Sequence, residues 1–194
     1  MKGDTLAQMI TTQEENVRQL FASTDLIAIG LRADAVRRKL HPEQIVSYAL
    51  GEGDPDGVHC TLAILELSAA SSLDERHRRI VELRREQEAH GRFTSFLILP
   101  AGYPEPTASE YMKTLAIARI YLDNIPHAQV PVASLDTKLA QVALRFGADD
   151  LGTVSAADGG QRKLITEEQV RRLIRDAGFT PKQRDSEFRT YFLY

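Results

Sequence analysis

The stretch from His41 to Leu65, HPEQIVSYALGEGDPDGVHCTLAIL, decides how the whole chain is read. Two apolar runs, Ile45 to Leu50 and Val58 to Leu67, flank the turn-rich join GEGDPDG. Short apolar runs bounded by Gly, Pro and Asp are the signature of strands. Upstream, Leu26, Ile29, Ala33, Val36 and Leu40 recur at helical spacing, with Arg32, Arg37, Arg38 and Lys39 outside the stripe. Pro42 disfavours helical geometry just before it and so stops that helix. A further helix is expected over residues 5–22.

Downstream of the join the chain alternates. Strands are expected at Val58–Leu67, Phe93–Pro100, Ala128–Ser134 and Asp150–Ala156. Helices follow at Leu73–His90, Ala108–Ile125, Leu135–Phe146 and Glu167–Ala177. Ser72 with Glu75, Thr107 with Glu110 and Thr166 with Gln169 have capping-box spacing, in which a side-chain oxygen takes an orphan helix N–H. Gly91, Gly147 and Gly178 fall just past helix ends, where a left-handed residue costs least. The fold class is therefore α/β: four consecutive βα units, a half TIM barrel with a parallel sheet, preceded by two N-terminal helices and a short strand.

The expected organisation is an N-terminal helical segment with a short strand at 1–50, the join at 51–57, the half-barrel at 58–180 and a C-terminal tail at 181–194. A bare four-stranded half-barrel has two open edges and one uncovered face. The tail TPKQRDSEFRTYFLY is expected either to wrap back onto the sheet or to dock on a partner.

Composition narrows the function classes. The chain has 194 residues, 43% hydrophobic and 26% charged, with a formal charge of −3. That is enough to bury a core, and it lacks the basic footprint of a nucleic-acid binder. The apolar runs are too short to span a membrane, and the polar start MKGDTLAQMITTQEEN does not read as a signal peptide. A single cysteine, Cys60, fits a reducing cytoplasm and is expected to be a buried structural thiol. His41, His59, His77, His90 and His127 show no metal-ligand spacing, and Asp149-Asp150 reads as a plain acidic pair, so no metal site is expected. The run RHRRIVELRREQ reads as the charged outer face of a helix.

Several runs together resemble one family: LIAIGLRADAVRRKLHPEQIVSY, RFTSFLILP, YMKTLAIARIYLDNIPHAQV, KLAQVALRFGADDLGT and TEEQVRRLIRDAGFTPKQRD. They are similar to the radical S-adenosylmethionine enzymes of the futalosine route to menaquinone. That group includes the dehypoxanthine futalosine cyclases, with aminofutalosine synthase and the F420-precursor synthases as relatives. The resemblance covers about Asp25 to Asp185, and the YLDNIP and ALRFGADD blocks are its most specific parts. It implies that the strand matching IVSYAL should lead into a CxxxCxxC loop whose three thiolates hold an iron–sulfur cluster. Here the chain runs from Leu50 through the join to Val58, and VHCTLAILEL resembles the fifth strand of the family barrel. The cluster loop and about four βα units are absent, so no iron–sulfur cluster is expected.

The departures fall at strand ends, where barrels keep their chemistry. A Gly-His-x-Glu turn of the family is replaced by Ser68, Ala69, Ala70 and Ser71. An aromatic is replaced by Leu99, a tryptophan by Val132, and an acidic Glu-Glu-Asn run by Ala157, Asp158 and Gly159. No catalytic residue carries over.

The ligand-binding candidates are Glu66, Tyr103, Asp136, Lys138, Ser155 and Asp158. Glu66 sits near the end of an apolar strand, a poor place for an unpaired carboxylate, so it either enters a ligand cavity or meets solvent or an arginine. Tyr103 follows a strand end. Asp136 and Lys138 open a helix whose free N–H groups suit an anion, although ordinary capping by Ser134 or Asp136 is the preferred reading. Ser155 and Asp158 lie in VSAADGG, a late-barrel loop of the kind that binds phosphate.

Three functions follow. The first is a cluster-less, non-catalytic accessory or assembly protein that pairs with itself or with a larger partner. The second is a binder of a nucleoside-derived, futalosine-like molecule. The third is an enzyme of changed, non-radical chemistry using Glu66 or Asp158. Neither nucleic acid nor membrane is an expected partner, and the expected location is the cytoplasm.

Overall fold

A computed structural model describes residues 14–51, 62–154 and 165–191. Helix α1 occupies residues 14–22 and α2 Leu26–Leu40. They are followed by β1 (Ile45–Leu50), β2 (Leu62–Leu67), α3 (Leu73–His90), β3 (Ser95–Pro100) and α4 (Ala108–Tyr121). Next come β4 (His127–Gln129), α5 (Thr137–Ala143) with a 3-10 turn at Leu144–Phe146, β5 (Asp150–Val154), α6 (Glu167–Asp176), β6 (Thr180–Arg184) and β7 (Thr190–Tyr191).

The strands form one sheet in the order β2-β3-β4-β5-β1-β6-β7. The first six are mutually parallel, and β7 runs antiparallel to β6. The four βα units stand side by side as the alternation implies, giving a half-barrel-like α/β fold. The sheet then continues beyond them. β1 pairs with β5 on one side and β6 on the other, Ser47 lying in register with both Asp150 and Lys182. Of the two fates open to the tail, its first part takes the sheet.

Local chemistry explains the boundaries. Asp25 caps α2 through the Ala28 N–H, and Ser72 caps α3 through the Glu75 N–H. Thr107 with Glu110 and Thr166 with Gln169 close full, reciprocal capping boxes. β4 is much shorter than the expected Ala128–Ser134. Pro131 has no N–H for the ladder, and the N–H groups of Ser134 and Leu135 turn back onto its carbonyl. α4 ends at Tyr121, four residues early, because the buried Arg119 gathers the carbonyls of Leu122, Ile125 and Pro126 at 2.6, 2.7 and 3.2 Å. Burial pulls that guanidinium down to about 10, against the charges of Asp149 and Asp123. Cys60 and the remainder of the join lie outside the described residues.

Most of the sequence of α4, ASEYMKTLAIARIY, is buried, so it needs cover on two sides. The sheet provides one and α2 the other. Lys113 ties the α1–α2 connection to α4 by donating to the carbonyls of Phe21 and Ser23, 2.6 Å each. Two glycines permit close packing here. A Cβ on Gly30 would lie 2.7 Å from the Phe146 ring. Gly147 has φ +99, and a Cβ there would lie 2.6 Å from Arg119 Cγ. No helix among the described residues is long and apolar enough to cross a membrane.

Candidate functional site

Alternation along β2 sends Ala63, Leu65 and Leu67 into the core and leaves Ile64 and Glu66 exposed. Both exposed residues line a cleft of about 530 Å³ at the carboxyl ends of β2 and β3. The rest of its wall includes Ser68, Ser71, Arg76 and Gly102. The Ser68–Ser71 turn is self-tied: the Ser71 N–H donates to the Ser68 carbonyl at 3.1 Å, and the Ala70 N–H to Ser68 Oγ at 3.1 Å. Arg76, buried on α3, donates through Nη2 to the Ser68 carbonyl and to Glu110, both at 3.2 Å. Its Nε has no hydrogen-bond partner among the described residues. The Thr107 N–H and hydroxyl, and then Arg76, hold the Glu110 carboxyl below its usual range. Glu66 makes no hydrogen bond or ion pair among the described residues, so the strand places a bare carboxylate on the cleft wall.

The other expected site residues go elsewhere. Tyr103 is 98% exposed and stands off the cleft wall. Asp136 is the N-cap of α5, accepting from the N–H groups of Lys138 and Leu139 at 2.9 and 3.4 Å, so it serves as the ordinary cap. Lys138 lines a separate groove of about 300 Å³ between α5 and α6, with Gln169, Arg172 and Asp176 opposite. Ser155 and Asp158 lie outside the described residues.

At the amino ends of the strands, three residues far apart in the chain meet. His41 follows α2, His127 opens β4, and Asp149 immediately precedes β5. Asp149 is almost fully buried. Its Oδ2 lies 2.5 Å from His127 Nδ1 and 3.3 Å from His41 Nε2, and its Oδ1 accepts the Ala128 N–H at 2.7 Å. His41 Nε2 also meets the Pro126 carbonyl at 2.8 Å. Burial alone would push the Asp149 carboxyl up. His127, His41 and the Ala128 N–H outweigh it and hold the group below the usual carboxylate value.

The two imidazoles are stacked at 4.7 Å, Phe188 stacks on His127 at 4.0 Å, and the Arg184 guanidinium covers Phe188 at 4.1 Å. Arg184 in turn grips the fully buried Asp150 through Nε and Nη2 at 2.5 and 2.8 Å. Ser47 Oγ and the Gly152 N–H complete the shell of Asp150 at 2.6 and 2.7 Å.

Sequence spacing cannot reveal this cluster, since only the sheet order unites its members. The one usable signal is local: two acids lead directly into an apolar strand, and buried acids require partners.

Over part of its length this half-barrel, with a cleft at its strand ends, is related to the enzymes of the futalosine route to menaquinone. Residues 98–192 match the family described as the CofH/MqnC C-terminal region. The aminodeoxyfutalosine synthase of Streptomyces coelicolor is 38% identical over 90 residues, which are 42% of this chain and 23% of that protein. The cyclic dehypoxanthine futalosine synthase of Halalkalibacterium halodurans is 30% identical over 146 residues, 68% of this chain and 39% of that protein. The 5-amino-6-(D-ribitylamino)uracil–L-tyrosine 4-hydroxyphenyl transferase of Methanoculleus marisnigri is 31% identical over 185 residues, 83% and 50% of the two chains. The chain thus spans half or less of the length of these curated relatives.

Proposed function

We propose that this chain is a cluster-less accessory half-barrel that performs no radical chemistry and holds a small polar, nucleoside-derived molecule of the futalosine kind. The observation that carries the reading is Glu66: an exposed carboxylate with no partner among the described residues, on the wall of a cleft at the carboxyl ends of parallel strands. Barrels place ligands at those ends. Glu66 would accept from ligand hydroxyl or amino groups, with the hydroxyls of Ser68 and Ser71 close by. The residues do not fit an iron–sulfur cluster, because the chain has a single cysteine and the family's loop has three.

Calorimetry with futalosine and its dehypoxanthine derivative tests the proposal. Saturable binding by the wild type, weakened in Glu66→Gln, is expected. No heat from either compound, together with no bound small-molecule mass in native mass spectrometry, would overturn it.

A second reading is self-assembly. It is favoured by β2, which has a strand on only one side among the described residues and carries Ile64 at 44% exposure. A dimer in native mass spectrometry that Ile64→Lys dissociates is the expected result. A monomer at all concentrations removes this reading.

A further inference from the structure

We propose that His41, His127 and Asp149 form a site for one divalent cation of the zinc type at the amino ends of the strands. Each offers one ligand atom, and these atoms all lie within 4.8 Å of one another. Two imidazole nitrogens and one carboxylate oxygen are the donors that zinc, cobalt and nickel prefer, whereas magnesium and calcium prefer oxygen alone. Three protein ligands leave a fourth position for solvent. The two imidazole side chains are 19% and 21% exposed, which gives the ion a way in.

One spacing suits such an ion as it stands, and the other two, 2.5 Å and at most 4.8 Å, adjust on binding. His41 Nε2 and Asp149 Oδ2 are 3.3 Å apart. Two donors each about 2.0–2.1 Å from a tetrahedral ion stand at roughly that spacing. The 2.5 Å gap between His127 Nδ1 and Asp149 Oδ2 is a hydrogen bond, so the ion takes the place of that proton and the gap widens. Each ring ligates as neutral imidazole: the proton on His127 Nδ1 is exchanged through solvent to Nε2, and the His41 Nε2 proton, donated to the Pro126 carbonyl, is exchanged likewise to Nδ1 as Nε2 turns to the ion.

The surroundings already orient the ligands. The Ala128 N–H fixes Asp149 Oδ1, and His127 is held between the faces of His41 and Phe188. The site lies at the opposite end of the strands from the Glu66 cleft, so it stands independently of the ligand proposed there.

The test is titration of the full chain with zinc by calorimetry and with cobalt by visible absorption. One saturable equivalent is expected, with the intense visible bands of a low-coordinate cobalt ion. His41→Ala should abolish the uptake, and His77→Ala, a histidine remote from the site, should leave it intact. The proposal is overturned if the wild type shows no saturable uptake, or if His41→Ala binds as the wild type does. Should His41→Ala fail to fold by circular dichroism, the wild-type cobalt spectrum decides: octahedral, weak bands count against the site.

Discussion

The two ends of the sheet are built on opposite principles. At the amino ends, Asp149 and Asp150 are buried, and each accepts hydrogen bonds from several donors. A ladder of planar groups, from His41 through His127 and Phe188 to Arg184, closes over them. At the carboxyl end of β2, Glu66 has no partner among the described residues and Ile64 is 44% exposed. A buried carboxylate without donors is costly, so the closed end can exist only complete. The open end carries no such requirement. The amino end is chemically dense, and the carboxyl end of β2 is sparse.

Four experiments bear on this contrast. Arg184→Ala should have the largest effect, a loss of about 3–5 kcal/mol, because it strands Asp150 as a buried, uncompensated charge. Urea denaturation reads it directly, and a loss below about 1 kcal/mol would mean that the amino end is looser than the distances imply. Gly30→Ala should cost about 1–3 kcal/mol, since its Cβ meets the Phe146 ring at 2.7 Å and α2 must shift. The thermal midpoint measures that cost, and an unchanged midpoint would show that the α2 interface yields easily.

Glu66→Gln should leave stability within about 0.5 kcal/mol. A larger change in the urea midpoint would reveal a structural partner and erase the distinction between the two ends. The smallest effect concerns acid. Thr107 and Arg76 hold the Glu110 carboxyl below its ordinary 4.5. The stability it contributes is therefore complete above that value and is lost as pH falls through the lower value of the folded state. Glu110→Gln should remove that small part of the acid dependence, seen as a flatter plot of urea midpoint against pH.

Much of the scaffold was legible from local signals. The capping residues Ser72, Thr107 and Thr166 mark helix starts, and α3 keeps the bounds Leu73–His90 expected of it. These signals are short-range, so one sequence suffices. The shortened β4 was readable in principle from Pro131, whose missing N–H ends the ladder. The place of β1 was not readable, since nothing in IVSYAL says that it pairs with residues a hundred positions later. For the cleft, Glu66 was found because a carboxylate in an apolar strand contradicts its surroundings. Lys138 and Tyr103 carried no such contradiction, and they went to other parts of the surface. The His41–His127–Asp149 group escaped for the same reason as β1.

That placement of β1 has a consequence for biogenesis. Ser47 precedes its hydrogen-bond partner Asp150 by 103 residues, and β6 comes later still. During synthesis β1 leaves the ribosome with neither neighbour made, so an apolar strand with two unpaired edges must wait while α3, α4 and α5 emerge. Non-local pairing of this kind slows folding and exposes sticky surface. The first of the described strands is thus enclosed only once β6 is made, and a chain released before β5 and β6 would be a natural client for holding chaperones.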